Sequence, residues 1–183
     1  MHSYMITSRE FYTDTPAVFR SILHEQIQKY LPTHVLYRDK HNPHYETQAH
    51  HFVEVCRQFM DVKSFIHQDV DLAYELEATG VHLTSEQFDK IKYAKSKNLE
   101  VIISTHTLDE VKKAQELGAD ASTYSPIFST PNKGEPKGVK DLKNVVESVD
   151  INVFALGGIT TQKEIQEVKK TGAYGFASIR YFY

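Results

Sequence analysis

The clearest chemical signal in the chain is the segment Val153-Phe154-Ala155-Leu156-Gly157-Gly158-Ile159-Thr160, an apolar run that passes into paired glycines and then into a hydroxyl-bearing helix start. Glycines there let backbone N–H groups approach an anion closely, and the positive end of the following helix favours negative charge. A tight turn that binds nothing would share this composition, so the position of the turn in the fold has to decide. Arg180, just beyond the last apolar run ending at Ile179, would add a bidentate contact to the same anion. Two other groups of reactive side chains read as bland. His41, His44, His50 and His51 span a loop with Pro43 and a helix start, without the carboxylate or cysteine set of a zinc site, and are expected to be solvated. Cys56, the single cysteine, sits among Phe52, Val53, Val55 and Phe59 and reads as a buried helix thiol.

The elements that would have to position these residues follow an alternating order. Short apolar runs at Tyr4 to Thr7, His34 to Tyr37, Ser64 to His67, Val81 to Leu83, Val101 to Ser104, Ala121 to Tyr124, Val153 to Leu156 and Tyr174 to Ile179 are separated by longer amphipathic segments. That order favours βα units with a parallel sheet, and about eight strands are what a closed TIM-type (β/α)8 barrel needs. Thr15 before Pro16 marks a helix start. Thr84 with Gln87, Thr107 with Glu110 and Thr161 with Glu164 are spaced as capping boxes. Gly80, Gly118 and Gly172 each stand where a left-handed residue would end a helix before a strand.

In such a barrel the paired glycines fall after strand seven, where the loops of strands seven and eight often hold phosphate. Gly157, Gly158, Ile179 and Arg180 are therefore expected to converge on one phosphate site at the C-terminal mouth. The stretch Pro126 to Gly138, with three prolines, reads as a long strand-to-helix loop lying over that mouth. The sequence ends at Tyr183 with no room for a final helix, and either a partner subunit or the aromatic end Tyr181-Phe182-Tyr183 is expected to cover the last strand.

The bulk properties set limits. A chain of 183 residues with no linker-like segment reads as one domain over residues 1–183. A formal net charge of −3 offers no footprint for nucleic acid. No apolar run reaches the roughly twenty residues of a membrane helix. The lone cysteine and a start that passes almost directly into a strand point to a cytoplasmic protein.

The order of four strand-end motifs resembles the thiamine phosphate synthase/TenI superfamily. These are Tyr37-Arg38-Asp39-Lys40, Ser104-Thr105-His106-Thr107, Ser125-Pro126-Ile127-Phe128-Ser129-Thr130, and the glycine pair after Phe154-Ala155-Leu156. The resemblance runs from strand one to strand eight and implies a barrel acting on a phosphorylated thiazole in thiamine biosynthesis. By position it implies that Arg38, Lys40, Ser104, Thr130 and Lys133 contact substrate, with Gln68 beside them. For a synthase, which joins hydroxymethylpyrimidine diphosphate to a thiazole phosphate with Mg²⁺, acidic ligands are needed after strands three and four. Asp69 remains as one, but the second position is Gln87, and a neutral amide is a poor ligand for a hard cation. A TenI-like thiazole tautomerase moves a proton without metal or other cofactor, and the resemblance assigns that role to His106, whose imidazole suits proton exchange near neutral pH. The sequence thus favours the tautomerase, with a divergent Mg²⁺ synthase using Asp69, and a non-catalytic carrier of thiazole phosphate, as alternatives.

Overall fold

The computed structural model describes residues 1–183. Eight parallel strands close on themselves in sequence order: β1 (His2–Ile6), β2 (His34–Tyr37), β3 (Lys63–His67), β4 (Gly80–Leu83), β5 (Glu100–Thr105), β6 (Ala121–Tyr124), β7 (Asn152–Leu156) and β8 (Gly175–Ser178). The ring is sealed where β1 pairs with β8, His2 facing Gly175 and Met5 facing Ser178. Between the strands run α1 (Arg9–Tyr12), α2 (Pro16–Tyr30), α3 (Tyr45–Cys56), α4 (Val70–Glu75), α5 (Ile91–Ser96), α6 (Leu108–Glu116), α7 (Gly138–Glu147) and α8 (Gln162–Lys169). The eight expected strands are all present, with ends shifted by one or two residues. No helix is long and apolar enough to cross a membrane.

Alternation along each strand separates two cores. One set of strand residues, including Met5, Val35, Ile66, Val101 and Val153, packs outward against the helices in a cluster of 39 buried residues that also holds Cys56. The other set points into the barrel, where Tyr4, Leu36, Phe65, Ile102, Phe154 and Ala177 belong to a separate cluster of eight. Burial pushes the Cys56 thiol well up, so it is an inert core group. Three large rings fit inside one narrow barrel because two facing positions have no side chain. A Cβ on Gly80 would stand 2.7 Å from the Phe65 ring and against the Glu100 carbonyl oxygen; one on Gly175 would stand 2.7 Å from the Phe154 ring.

That packing corrects one expectation. Gly80 does not end a helix; it begins β4, and the left-handed residue after α4 is Glu77, with φ 54°. Gly118 and Gly172 do take positive φ, as expected. The Thr107 and Thr161 caps form, the latter as a full capping box with Glu164. Thr84 does not cap a helix: the Gln87 side-chain oxygen accepts its N–H at 3.1 Å, and the chain continues into a short 3₁₀ turn at Phe88–Lys90.

The gap after β8 is filled by the chain itself. Residues Arg180–Phe182 form a 3₁₀ turn that buries Phe182 face to face on Phe176, at 5.7 Å between centroids, and edge-on to Tyr30. Tyr183 lies against Phe11 at 4.2 Å. The aromatic end thus packs beside the last strand, as one of the two expected covers would.

A Gly175→Ala substitution forces a methyl into the β1–β8 seam and the Phe154 ring at once, and overpacking of this kind costs about 1–3 kcal/mol or more. Urea unfolding should show a drop of at least that size, while Gly118→Ala, which meets no atom within 4 Å, should lose only the smaller penalty of its positive φ.

Candidate active site

Parallel strands in a closed barrel all end on one rim, so side chains at successive strand ends are brought together from distant parts of the sequence. Three adjoining cavities open there. The largest, about 560 Å³, is walled by Arg38 and Lys40 after β2, by Gln68 after β3, and by Ser104 and His106 at the end of β5. Thr130 and Lys133 of the long loop, with Gly157 and Ile179, close its other side. A second, about 480 Å³, is lined by Gly157, Gly158, Thr160, Ser178, Ile179 and Arg180. The two share Thr130, Leu156, Gly157 and Ile179. The expected phosphate residues therefore do converge, and the expected substrate residues surround the adjoining chamber. Asp69 borders them from outside the largest cavity, across the shared residues Lys40, His67 and Gln68. It lines a third cavity of about 410 Å³ with Asp39 and Asp71.

The glycine pair has a structural reason of its own. The Ile127 and Phe128 N–H groups donate to the carbonyls of Leu156 and Gly157, both at 3.0 Å, which lays the start of the long loop directly on the turn. Gly157 and Gly158 have φ of 104° and 68°, and a Cβ on either would strike Pro126 at 2.8 Å or the Ser129 carbonyl at 2.6 Å. The loop expected over the mouth is thus pinned at its first half, while residues 131–136 are exposed.

Arg38 is half-buried and has no acidic partner, because the neighbouring Asp39 pairs with Arg9 at 3.2 Å instead. Burial lowers the pKa of the Arg38 guanidinium. Lys40 is lowered chiefly by the positive charge of Arg38, with burial and Lys133 adding to it. Arg38, Lys40 and Lys133 thus share one cavity in which Glu86 is the single acidic lining residue, and none of the three cations is in a salt bridge.

His106 is exposed at the rim. Its Nδ1 lies 3.2 Å from the Ser125 carbonyl, which can only accept, and 3.4 Å from Ser125 Oγ; donation to the carbonyl leaves Nε2 as an acceptor without a protein partner. Its backbone N–H donates to Glu110 Oε2 at 2.5 Å, so the start of α6 fixes the residue. The histidines of the segment 41–51 take separate contacts, His50 lying 3.6 Å from Glu54 and His51 touching Arg20, and no three His, Cys, Asp or Glu residues are arranged to hold a metal.

The magnesium implied by the synthase resemblance meets a poor donor set. Asp69 Oδ1 accepts the Leu72 N–H at 2.9 Å as the N-cap of α4. Gln87 spends its oxygen on Thr84 and its amide N–H on the Gln68 carbonyl at 3.2 Å. One capping carboxylate and one engaged amide do not fit a hard divalent cation.

The strand interiors hold groups that the sequence reading passed over. His67 on β3 and His82 on β4 point into the barrel below the chambers, and His67 lines the largest one. Burial, followed by Arg38 and Lys40, pushes His67 down to about 3, and burial puts His82 well below its usual value. The available signal was a polar residue at an inward position of an otherwise apolar strand.

Fold and site together define an α/β barrel whose mouth holds three adjoining cavities, with Arg38, Lys40, Lys133 and Arg180 among their lining residues. Compared with known proteins, residues 3–182 match the family described as "Thiamine monophosphate synthase". The chain belongs to that family. It is 43% identical over 120 residues to the "Putative thiamine-phosphate synthase 2" of Aquifex aeolicus, covering 64% of each chain. It is 35% identical over 136 residues to the thiamine-phosphate synthase of Caldivirga maquilingensis, covering 72% of this chain and 65% of that one. The chain thus spans just under two thirds of the length of these relatives. Among solved structures, thiamine phosphate pyrophosphorylase from Pyrococcus furiosus superposes with a TM-score of 0.84 at 30% identity, over 97% of this chain and 85% of the other.

Buried neutral imidazoles make stability depend on pH. The unfolded state takes up a proton near pH 6.5 and the folded state resists until about 3 at His67 and about 4 at His34, so the unfolded chain binds more protons between those values. Stability should be full above pH 6.5 and fall as pH drops through that window, by up to about 1.4 kcal/mol per unit for each such group. Urea midpoints measured from pH 7 to 4 should decline, and His67→Asn should flatten the slope.

Proposed function

We propose that this protein is a thiamine phosphate synthase that joins two phosphorylated heterocycles at the rim. A thiazole phosphate nitrogen attacks the methylene carbon of hydroxymethylpyrimidine diphosphate, a C–N bond forms as the C–O bond breaks, and pyrophosphate leaves with the bonding electrons. The observation that carries this reading is the excess of cations in one chamber: Arg38 and Lys133 both act on Lys40, against the single acidic residue Glu86, and none of the three is in a salt bridge. A departing diphosphate matches that charge; a single substrate carboxylate, as a tautomerase would present there, leaves most of it unmet. The adjoining chamber at Gly157, Gly158 and Arg180 would take the phosphate of the thiazole. The shared wall at Thr130 and Ile179 is where the two rings would meet, held as neighbours rather than as free reactants. The names of the relatives support the same choice over the tautomerase that the sequence favours. With Asp69 and Gln87 engaged elsewhere, the role of these three side chains in balancing the leaving charge grows, and no step is assigned to a protein-bound metal.

Thiazole tautomerisation is the second reading, favoured by one observation: His106 keeps Nε2 free as a base while Ser125 holds the ring. Thiamine phosphate formation, followed as thiochrome fluorescence with both substrates and Mg²⁺ supplied in solution, separates the readings. The intact protein should form product, and Arg38→Ala or Lys133→Ala should lower kcat/KM by about 10²-fold. No coupling, together with tautomerisation in EDTA that His106→Ala abolishes, would replace the synthase with the tautomerase. Binding of thiazole phosphate without either reaction would leave a carrier.

A further inference from the structure

Beneath the larger chamber runs a chain of polar contacts that the reading above does not use. The Tyr4 hydroxyl on β1 lies 2.9 Å from His82 Nδ1 on β4, and His82 Nε2 lies 3.0 Å from Ser104 Oγ on β5. Tyr4 and His82 are buried, whereas Ser104 reaches the chamber. No other side chain or backbone group bonds the Tyr4 hydroxyl.

The direction of the chain follows from what each group can give. If His82 donated from Nδ1, the phenol hydrogen would be left without an acceptor among Phe65, Phe154 and His34, at the full cost of a desolvated donor. If the phenol donates instead, it loses only a spare lone pair. Nδ1 is then bare, and the ring, kept neutral by burial, carries its one hydrogen on Nε2 and donates it to Ser104. Ser104 Oγ has accepted a bond and has no other protein partner. Its hydrogen points to whatever fills the chamber.

We propose that Tyr4 and His82 are positioning residues that lock the Ser104 hydroxyl as a donor, so that the chamber selects an occupant presenting an unprotonated ring nitrogen at that point. A heterocycle with an N–H there would have to take the remaining lone pair of Ser104 Oγ and leave the serine hydrogen without an acceptor, at the cost of an unsatisfied donor. Three strands from distant parts of the sequence are needed to build this selectivity, and only Ser104 touches the occupant. Identifying the occupant with the pyrimidine diphosphate rests on the proposed function; the direction of the chain does not.

Two measurements on the full chain test this separately. In ¹⁵N NMR of the free protein, the His82 ring, assigned by its loss in His82→Gln, should show a bare Nδ1 and a protonated Nε2, and Tyr4→Phe should shift both toward a mixture of tautomers. A proton on Nδ1 in the parent would overturn the proposal. In steady-state coupling, Tyr4→Phe should raise KM for hydroxymethylpyrimidine diphosphate roughly three- to tenfold, the worth of one neutral hydrogen bond, with kcat and the KM for thiazole phosphate little changed. His82→Gln, which keeps an N–H reaching toward Ser104, should stay within about twofold of the parent, while His82→Leu should follow Tyr4→Phe. Equal KM values for all four proteins would overturn the lock. If the parent does not couple, calorimetric binding of the pyrimidine diphosphate takes the place of KM. Weaker binding by Tyr4→Phe then upholds the lock while the synthase reading fails; no binding by the parent overturns both.

Discussion

Closure of the sheet on itself is the constraint on which everything else rests. Once β1 pairs with β8, the interior has a fixed, narrow cross-section, and its filling must be exact to within a methyl group. Tyr4, Phe65 and Phe154 supply the bulk, and Gly80 and Gly175 withdraw from the wall to admit two of the rings. Above this layer the barrel is no longer sealed by apolar groups. The side chains there, His67, His82, Ser104 and Arg38, are polar, and each must find a partner within the barrel or face the chamber.

That division explains why the mouth is both polar and strained in charge. Imidazoles below the rim stay neutral because burial and the cations above them make a further positive charge costly. The cations outnumber the carboxylates beside them: Glu86 alone lines their chamber, while Asp39 turns to Arg9 and Asp69 to a helix end. Acidic residues are present nearby, yet the local hydrogen-bond requirements of the backbone and of other side chains claim them first.

Much of this was legible in the chain. The alternation of short apolar runs with longer amphipathic segments marks all eight strands, because inward and outward faces of each strand both had to be filled. The glycine pair at 157 and 158 and the strand-end motifs mark the rim. What the sequence conceals is contact across the barrel. Gly80 reads as a helix terminator because its neighbours look like a turn, whereas its cause is a ring on β3 and a carbonyl on β5. His82 reads as one polar residue in an apolar strand, since Tyr4 and Ser104 lie 78 and 22 residues away. Asp69 reads as a ligand by its type and place; that it caps α4 depends on a backbone angle that composition does not reveal.

The loop that carries Lys133 is anchored on the carbonyls of Leu156 and Gly157, the same turn that walls the second chamber. The two chambers therefore do not have independent walls. An occupant that steadies the glycine turn also steadies the base of the neighbouring loop, lowering the entropy that the second occupant must surrender. The coupling is reciprocal: whichever molecule enters first stiffens the doorframe of the other.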